Sequence, residues 1–219
     1  MKKWGIIGGT FDPIHNGHIY IAEEAQKQLN LDKVIFMVAG NPPHKLDNKI
    51  TDANLRLMMV ESAIKNNKKL EASDYEIKKQ GVSFTYLTLE EFKKEDVELY
   101  FITGADCLVN IESWRNIKTI FNLSHFVVFT RPGFEDLELI KQKKYIEEKY
   151  NTKIIFLQLK KIDVSSTEIR QKIKDGESIK NLIPKDVLKI INEEKLYRSW
   201  DYDKQRRIIW ISKTKLKRK

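Results

Sequence analysis

Residues Lys3 to His18 read KWGIIGGTFDPIHNGH, and the reading of the whole chain starts from them. Trp4, Ile6 and Ile7 form a short apolar run of the kind that fills a buried strand. The run ends at Gly8-Gly9, where the missing Cβ atoms let a backbone come close to a ligand. Thr10, Phe11, Asp12 and Pro13 carry the turn. His15-Asn16-Gly17-His18 come next, and Ile19 to Leu29 alternate apolar and charged positions at helical spacing. The order of strand, glycine turn, histidine pair and helix sets two imidazoles beside a helix N-terminus, whose free N–H groups attract anions. The stretch therefore reads as a phosphate-handling corner. Two plainer readings compete with it. A Gly-Gly turn ends many ordinary strands, and histidines at i and i+3 share a helix face as a metal pair would. A closed zinc site takes about four ligands, while only His44, His125 and Cys107 remain elsewhere. Neither the G-x-G-x-x-G fingerprint nor the P-loop pattern occurs.

Further strands come at intervals. Lys33–Val38 (KVIFMV) leads into the Pro-Pro loop that carries Asn41, His44 and Lys45, two basic groups at a strand's carboxyl end or simply a solvated basic loop. Ala53 to Asn66 is a core-facing helix, and Leu70 to Ile77 reads as a short strand or pair of strands. Ser83 to Tyr86 opens a helix that the Thr85 hydroxyl can cap. Leu99–Thr103 (LYFIT) ends at Gly104-Ala105-Asp106, where the carboxylate suits either a ribose hydroxyl or an N-cap. Trp114 sits in a polar loop. His125–Thr130 (HFVVFT) ends at Arg131; Glu135 to Tyr150 is a charged helix, and Lys153–Leu159 is the last strand. Ser165, Ser166 and Thr167 then start a helix with Arg170 one turn in. That arrangement serves ordinary capping, or a polyphosphate gripped by hydroxyls, N–H groups and guanidinium. Gly176 ends this helix, and Pro184 to Glu194 form another.

Five or so strands alternating with helices predict an α/β fold: a doubly wound, mostly parallel sheet in a single domain, with helices at its C-terminal end. The two phosphate-suited turns lie about 150 residues apart. They can still share one crevice, because all carboxyl ends of a parallel sheet face the same way. A hydrophobic content of 41% is ordinary for a globular core. No apolar run approaches the ~20 residues of a membrane span. The chain opens directly into a strand, so no secretory signal is expected, and one cysteine fits a reducing cytoplasm. The net charge of +9 is uneven: Tyr202 to Lys219 hold eight of the 40 Lys+Arg and one of the 31 Asp+Glu. The body carries 32 against 30, which gives no electrostatic case for binding nucleic acid. The organisation is then a domain over 1–200 and a basic tail over 201–219. The tail is either poorly ordered or a clamp on an anionic surface or on a second subunit, which would make a homo-oligomer.

The run GGTFDPIHNGH resembles the first signature of the nucleotidyltransferases that share the [HT]-x-G-H motif, and VSSTEIR at Val164 to Arg170 resembles their second signature, ISST-x-[IL]-R. Over about residues 3 to 198 the chain is most similar to the bacterial nicotinate-nucleotide adenylyltransferases. The resemblance implies a Rossmann-like fold and a cytoplasmic enzyme of NAD biosynthesis. Its reaction joins ATP and nicotinate mononucleotide into nicotinate adenine dinucleotide and releases pyrophosphate. Mg²⁺ would arrive with ATP. In this family's terms His18 meets the α-phosphate, and His15 meets neighbouring phosphate oxygens. Gly8, Gly9, Thr10 and Phe11 line the ATP turn. Gly104, Asp106 and Arg131 hold the adenylate, and Ser165, Ser166, Thr167 and Arg170 hold the leaving pyrophosphate. Asn41, His44 and Lys45 lie beside the mononucleotide, Thr85 meets the nicotinate carboxylate, and Trp114 stacks on the ring. Several relatives carry an aromatic residue after that tryptophan; here it is Arg115. The same first signature also serves other acceptors, such as nicotinamide mononucleotide, phosphopantetheine or FMN. A non-catalytic nucleotide-binding protein would be a different class.

Overall fold

The computed structural model describes residues 1–42, 50–79, 81–130, 137–160 and 163–198. The apolar run at the start becomes strand β1 (Lys2–Gly9). It is joined by β2 (Lys33–Val38), β3 (Leu70–Ser73), β4 (Val97–Gly104), β5 (Ser124–Thr130) and β6 (Ile154–Gln158). The six form one sheet in the order β3-β2-β1-β4-β5-β6, with every neighbouring pair parallel. The order reverses between β1 and β4, and a crevice at the carboxyl ends of the strands belongs at such a switch point. Register brings those ends together: Gly9 pairs with Val38, Gly104 with Phe129, and Thr130 with Gln158.

Side chains alternate across the sheet. Ile7 joins the apolar layer under α1 (Asn16–Gln28), α2 (Ala53–Ile64), α8 (Ser166–Lys174) and α9 (Lys185–Glu193). Ile6 points the other way, into the layer under α4 (Thr85–Phe92), α5 (Ala105–Val109), α6 (Ile117–Leu123) and α7 (Leu137–Tyr150). In these layers Ile6, Val34, Phe36, Phe126 and Val128 are fully enclosed. That burial is why the strands read as continuous apolar runs rather than alternating ones. Among the described residues no helix is long and apolar enough to cross a membrane.

Three local expectations change. The sheet has six strands because Leu70–Ser73 pairs with β2; the expected strand then gives way to a short helix, α3 (Tyr75–Lys79). Thr85 is the first residue of α4 and not its cap; the N-cap is Phe84, which offers no side-chain hydrogen bond. Asp106 likewise lies inside α5, with Gly104 as the cap. The tail expected over 201–219 lies outside the described residues.

Candidate active site

The histidine turn begins with a strained residue. Phe11 has φ +50, a left-handed conformation that costs a non-glycine residue roughly 1 kcal/mol or more. Its ring is buried, edge-on to Phe36 and to His18. Residues Thr10 to Pro13 belong to no strand or helix, so their carbonyls need other donors. Side chains supply them. Arg56 Nη1 donates to the Thr10 carbonyl (2.7 Å), Arg170 Nη1 to the Asp12 carbonyl (2.8 Å) and the Ser166 hydroxyl to the Pro13 carbonyl (2.9 Å).

At the start of α1 the two histidines cap each other. The His18 N–H donates to His15 Nδ1 (3.4 Å) and the His15 N–H to His18 Nδ1 (3.3 Å), with the rings stacked at 3.6 Å. An Nδ1 that accepts must leave the ring hydrogen of a neutral imidazole on Nε2. The rings are neutral near pH 7: burial holds His15 down at about 4, and burial, then the neighbouring His15, holds His18 well below the ordinary imidazole range. The helix start thus presents two Nε2–H donors, while its Asn16 N–H is bound to the Leu182 carbonyl (2.9 Å) and its His18 and Ile19 N–H groups to His15.

Facing it stands α8. Ser165 is its N-cap and accepts from the Glu168 N–H (3.1 Å). Ser166 spends its hydroxyl hydrogen on Pro13 and so offers a backbone N–H to a ligand. Arg170 donates to the Asp12 carbonyl and to the Thr167 hydroxyl (3.3 Å), and among the described residues its three other N–H donors meet no acceptor. The two motifs touch through Gly17: a Cβ there would lie 2.9 Å from Val164 Cγ1 and 3.0 Å from His15 Nδ1. A larger residue there would force Val164 or His15 to shift.

Between them lies a cavity of about 540 Å³ lined by His15, Gly17 and His18 from the first motif and by Val164, Ser165 and Ser166 from the second. Asp106 closes one side. Its carboxylate folds back over Gly104, where an added Cβ would fall 2.5 Å from Oδ1. Tyr20, Ile21, Phe129, Thr130, Leu159 and Lys160 complete the wall, and sequence reading missed all of them. Ile21 was findable, since it lies one helical turn beyond His18; the strand-end residues carry no local signal. The Thr130 hydroxyl is buried with no hydrogen-bond partner among the described residues.

Gly8, Gly9, Thr10, Phe11, Gly104, Thr167 and Arg170 are not among the residues that line this cavity. Asn41, Thr85 and Trp114 come to the same end of the sheet on its other face. Asn41 is bound to the loop before α4, donating to the Gly81 carbonyl (3.2 Å), and its N–H meets the Ser83 hydroxyl. Trp114 packs edge-on against Phe101, whose ring lies 3.8 Å from where a Gly8 Cβ would be. Arg115 lies over the Phe84 ring at 5.0 Å. His44, Lys45 and Arg131 lie outside the described residues. His125 is remote, at the strand starts, with Nε2 2.7 Å from Glu98.

A strand-end crevice with neutral imidazole donors on one wall and a hydroxyl-capped helix terminus on the other is built for phosphates. Comparison with known proteins bears on the family and the fold. The cytidylyltransferase-like family model matches residues 6–172. A protein of Clostridium botulinum (strain Alaska E43 / Type E3) named "Probable nicotinate-nucleotide adenylyltransferase" is 58% identical over 198 residues, 90% of this chain and 99% of its own. One of the same name from Clostridium novyi (strain NT) is 55% identical over 200 residues, 90% of this chain and 100% of its own. The solved structure of Plasmodium falciparum nicotinic acid mononucleotide adenylyltransferase complexed with NaAD has a TM-score of 0.72 at 22% identity, covering 90% of this chain and 98% of that one. At that identity it speaks for the fold. Two signatures meeting at one crevice, and relatives matched over nearly their whole length, lead to one conclusion: the chain belongs to the nicotinate-nucleotide adenylyltransferase family of nucleotidyltransferases.

Proposed function

We propose that this chain transfers the adenylyl group of ATP to nicotinate mononucleotide. A 5′-phosphate oxygen of the mononucleotide attacks the α-phosphorus of ATP, the bond from that phosphorus to the bridging oxygen breaks, and pyrophosphate leaves. No covalent enzyme intermediate is involved. The observation that carries the reading is the mutual capping of His15 and His18 across one cavity from the Ser165-Ser166 helix start. Catalysis is then positioning plus stabilisation of charge spread over the transferring phosphoryl group. His18 donates from Nε2 to the α-phosphate and His15 to a neighbouring oxygen. The first N–H groups of α8 and the free Arg170 donors receive the pyrophosphate. Asp106 accepts from a ribose hydroxyl, and the Asn41–Thr85–Trp114 group takes the nicotinate end.

Mg²⁺ enters with ATP. Among the described residues Asp106 supplies the one carboxylate of the cavity wall, and the Asp12 carboxylate is already taken by Tyr197 and Thr51. These donors fit an ion held chiefly by phosphate oxygens and water; bound, it shields the triphosphate charge. A cytoplasmic location belongs to the same reading. The test is pyrophosphate release from ATP with nicotinate mononucleotide, nicotinamide mononucleotide and phosphopantetheine in parallel. Release should be fastest by at least tenfold with the nicotinate compound. Faster release with another acceptor would displace it as substrate, and no release with any would refute adenylyl transfer.

A further inference from the structure

We infer that Tyr197, near the far end of the domain, is a positioning residue that sets the two catalytic imidazoles through Asp12; the inference rests on the roles proposed for His15 and His18. Asp12 is 4% exposed and is held at three points. The Tyr197 hydroxyl donates to Oδ1 (2.7 Å), the Thr51 N–H donates to Oδ2 (3.3 Å), and Arg170 donates to the backbone carbonyl. Arg56, 1% exposed, braces the same place by donating to the carbonyls of Thr51 (2.9 Å) and Thr10. The turn that delivers His15 is therefore fixed almost wholly by groups distant in sequence.

Tyr197 is suited to this task and to little else. It is 3% exposed, it lines no part of the nucleotide cavity, and it stands in the left-handed region at φ +65. Phe11, on the other side of the hydrogen bond, stands there too, at φ +50. Strained residues persist where the surroundings over-determine them. Here the strain brackets a buried phenol–carboxylate contact three residues before His15. Burial first, and then the Asp12 charge, holds the phenol well above its ordinary range, so it remains a donor at any working pH. Among the described residues the phenol is the donor that Asp12 Oδ1 meets. Without it, the carboxylate turns to find another, and residues 13–15 turn with it. The mutual His15–His18 capping, already long at 3.3 and 3.4 Å, is the contact that yields.

The experiment uses the full chain with Tyr197→Phe, Asp12→Asn and the double variant. Two readouts are taken. The first is the ring-nitrogen NMR spectrum of His15 and His18 in the free protein, which needs no substrate. The second is kcat and KM for adenylyl transfer. Wild type should show both rings as the Nε2–H form. Tyr197→Phe should move the ring-nitrogen shifts of both and lower kcat about tenfold, leaving KM for the mononucleotide within twofold. Asp12→Asn should do the same, and the double variant should lose no more than either single one, since contacting partners are not additive. Unchanged ring-nitrogen shifts in Tyr197→Phe overturn the inference whatever the kinetics, and so do losses that multiply in the double variant. A wild-type protein inactive on every acceptor would sink the proposed function; the NMR arm would still decide the role of Tyr197.

Discussion

Gly17→Ala probes the joint between the two phosphate motifs. Nothing in the local backbone forbids alanine, and helix propensity alone would favour it by about 1 kcal/mol. The surroundings oppose it. The new methyl would stand 2.9 Å from Val164 Cγ1, 3.0 Å from His15 Nδ1 and 3.1 Å from His15 Cε1, against roughly 3.5–4.0 Å for relaxed contact. Overpacking of this kind costs about 1–3 kcal/mol, so net stability should fall by no more than about 2 kcal/mol and the protein should fold. Function should suffer more. His15 is stacked on His18 at 3.6 Å and cannot retreat without pushing it. Val164 yields by turning its side chain or by shifting beside Ser165, the cap of α8. A shift of His15 or of Ser165 displaces donors on one wall by roughly half an ångström to one ångström, and a misplacement of about 1 Å costs on the order of 10²-fold in rate. The assay is steady-state pyrophosphate release with saturating ATP and nicotinate mononucleotide, beside a thermal unfolding curve. A folded variant with wild-type kcat would refute the reasoning, because it would mean that the contact between the motifs does not set the geometry of transfer.

Other expectations arise from the same geometry. His18→Ala should leave the fold intact and cut kcat by about 10²-fold or more, as removal of one preorganised donor does; near-normal turnover would take His18 out of the chemistry. Trp114→Ala should raise KM for the mononucleotide several times more than KM for ATP, since the indole lies on the opposite face of the sheet from the cavity; equal effects would contradict ring stacking. Stability should fall with acid through the histidines. His15 sits at about 4 in the folded chain against about 6.5 unfolded, so between these values the unfolded chain holds more protons. The contribution of its burial is whole above about pH 6.5 and fades as the pH drops toward 4, by about 3 kcal/mol. Urea midpoints measured from pH 7 to 4.5 should show a shallower decline in His15→Gln than in wild type; parallel curves would mean that His15 titrates normally.

The layered fold was legible along the chain, because fully buried parallel strands must be continuous apolar runs and their ends must break at glycine and proline. KWGIIGG, KVIFMV, LYFIT and HFVVFT announce themselves in this way. So does the histidine turn, whose elements are all within reach of one another along the chain. The short β3 and α3 were harder, since four residues carry too little pattern to mark where a strand stops and a helix begins. The work of the polar residues was settled only when distant segments folded together. Ser166 reads as a phosphate ligand, yet its hydroxyl is spent on Pro13, 153 residues away. Asp12 reads as part of a turn, yet its carboxylate answers to a tyrosine 185 residues on. Phe11 reads as a lining residue, yet its ring is core. Hydrogen-bond partners of an irregular turn are chosen by whichever donors the fold brings near, and that choice leaves no trace in local composition. The same holds for the far wall of the cavity, where Phe129, Leu159 and Lys160 gather only because the parallel register ends β5 and β6 side by side.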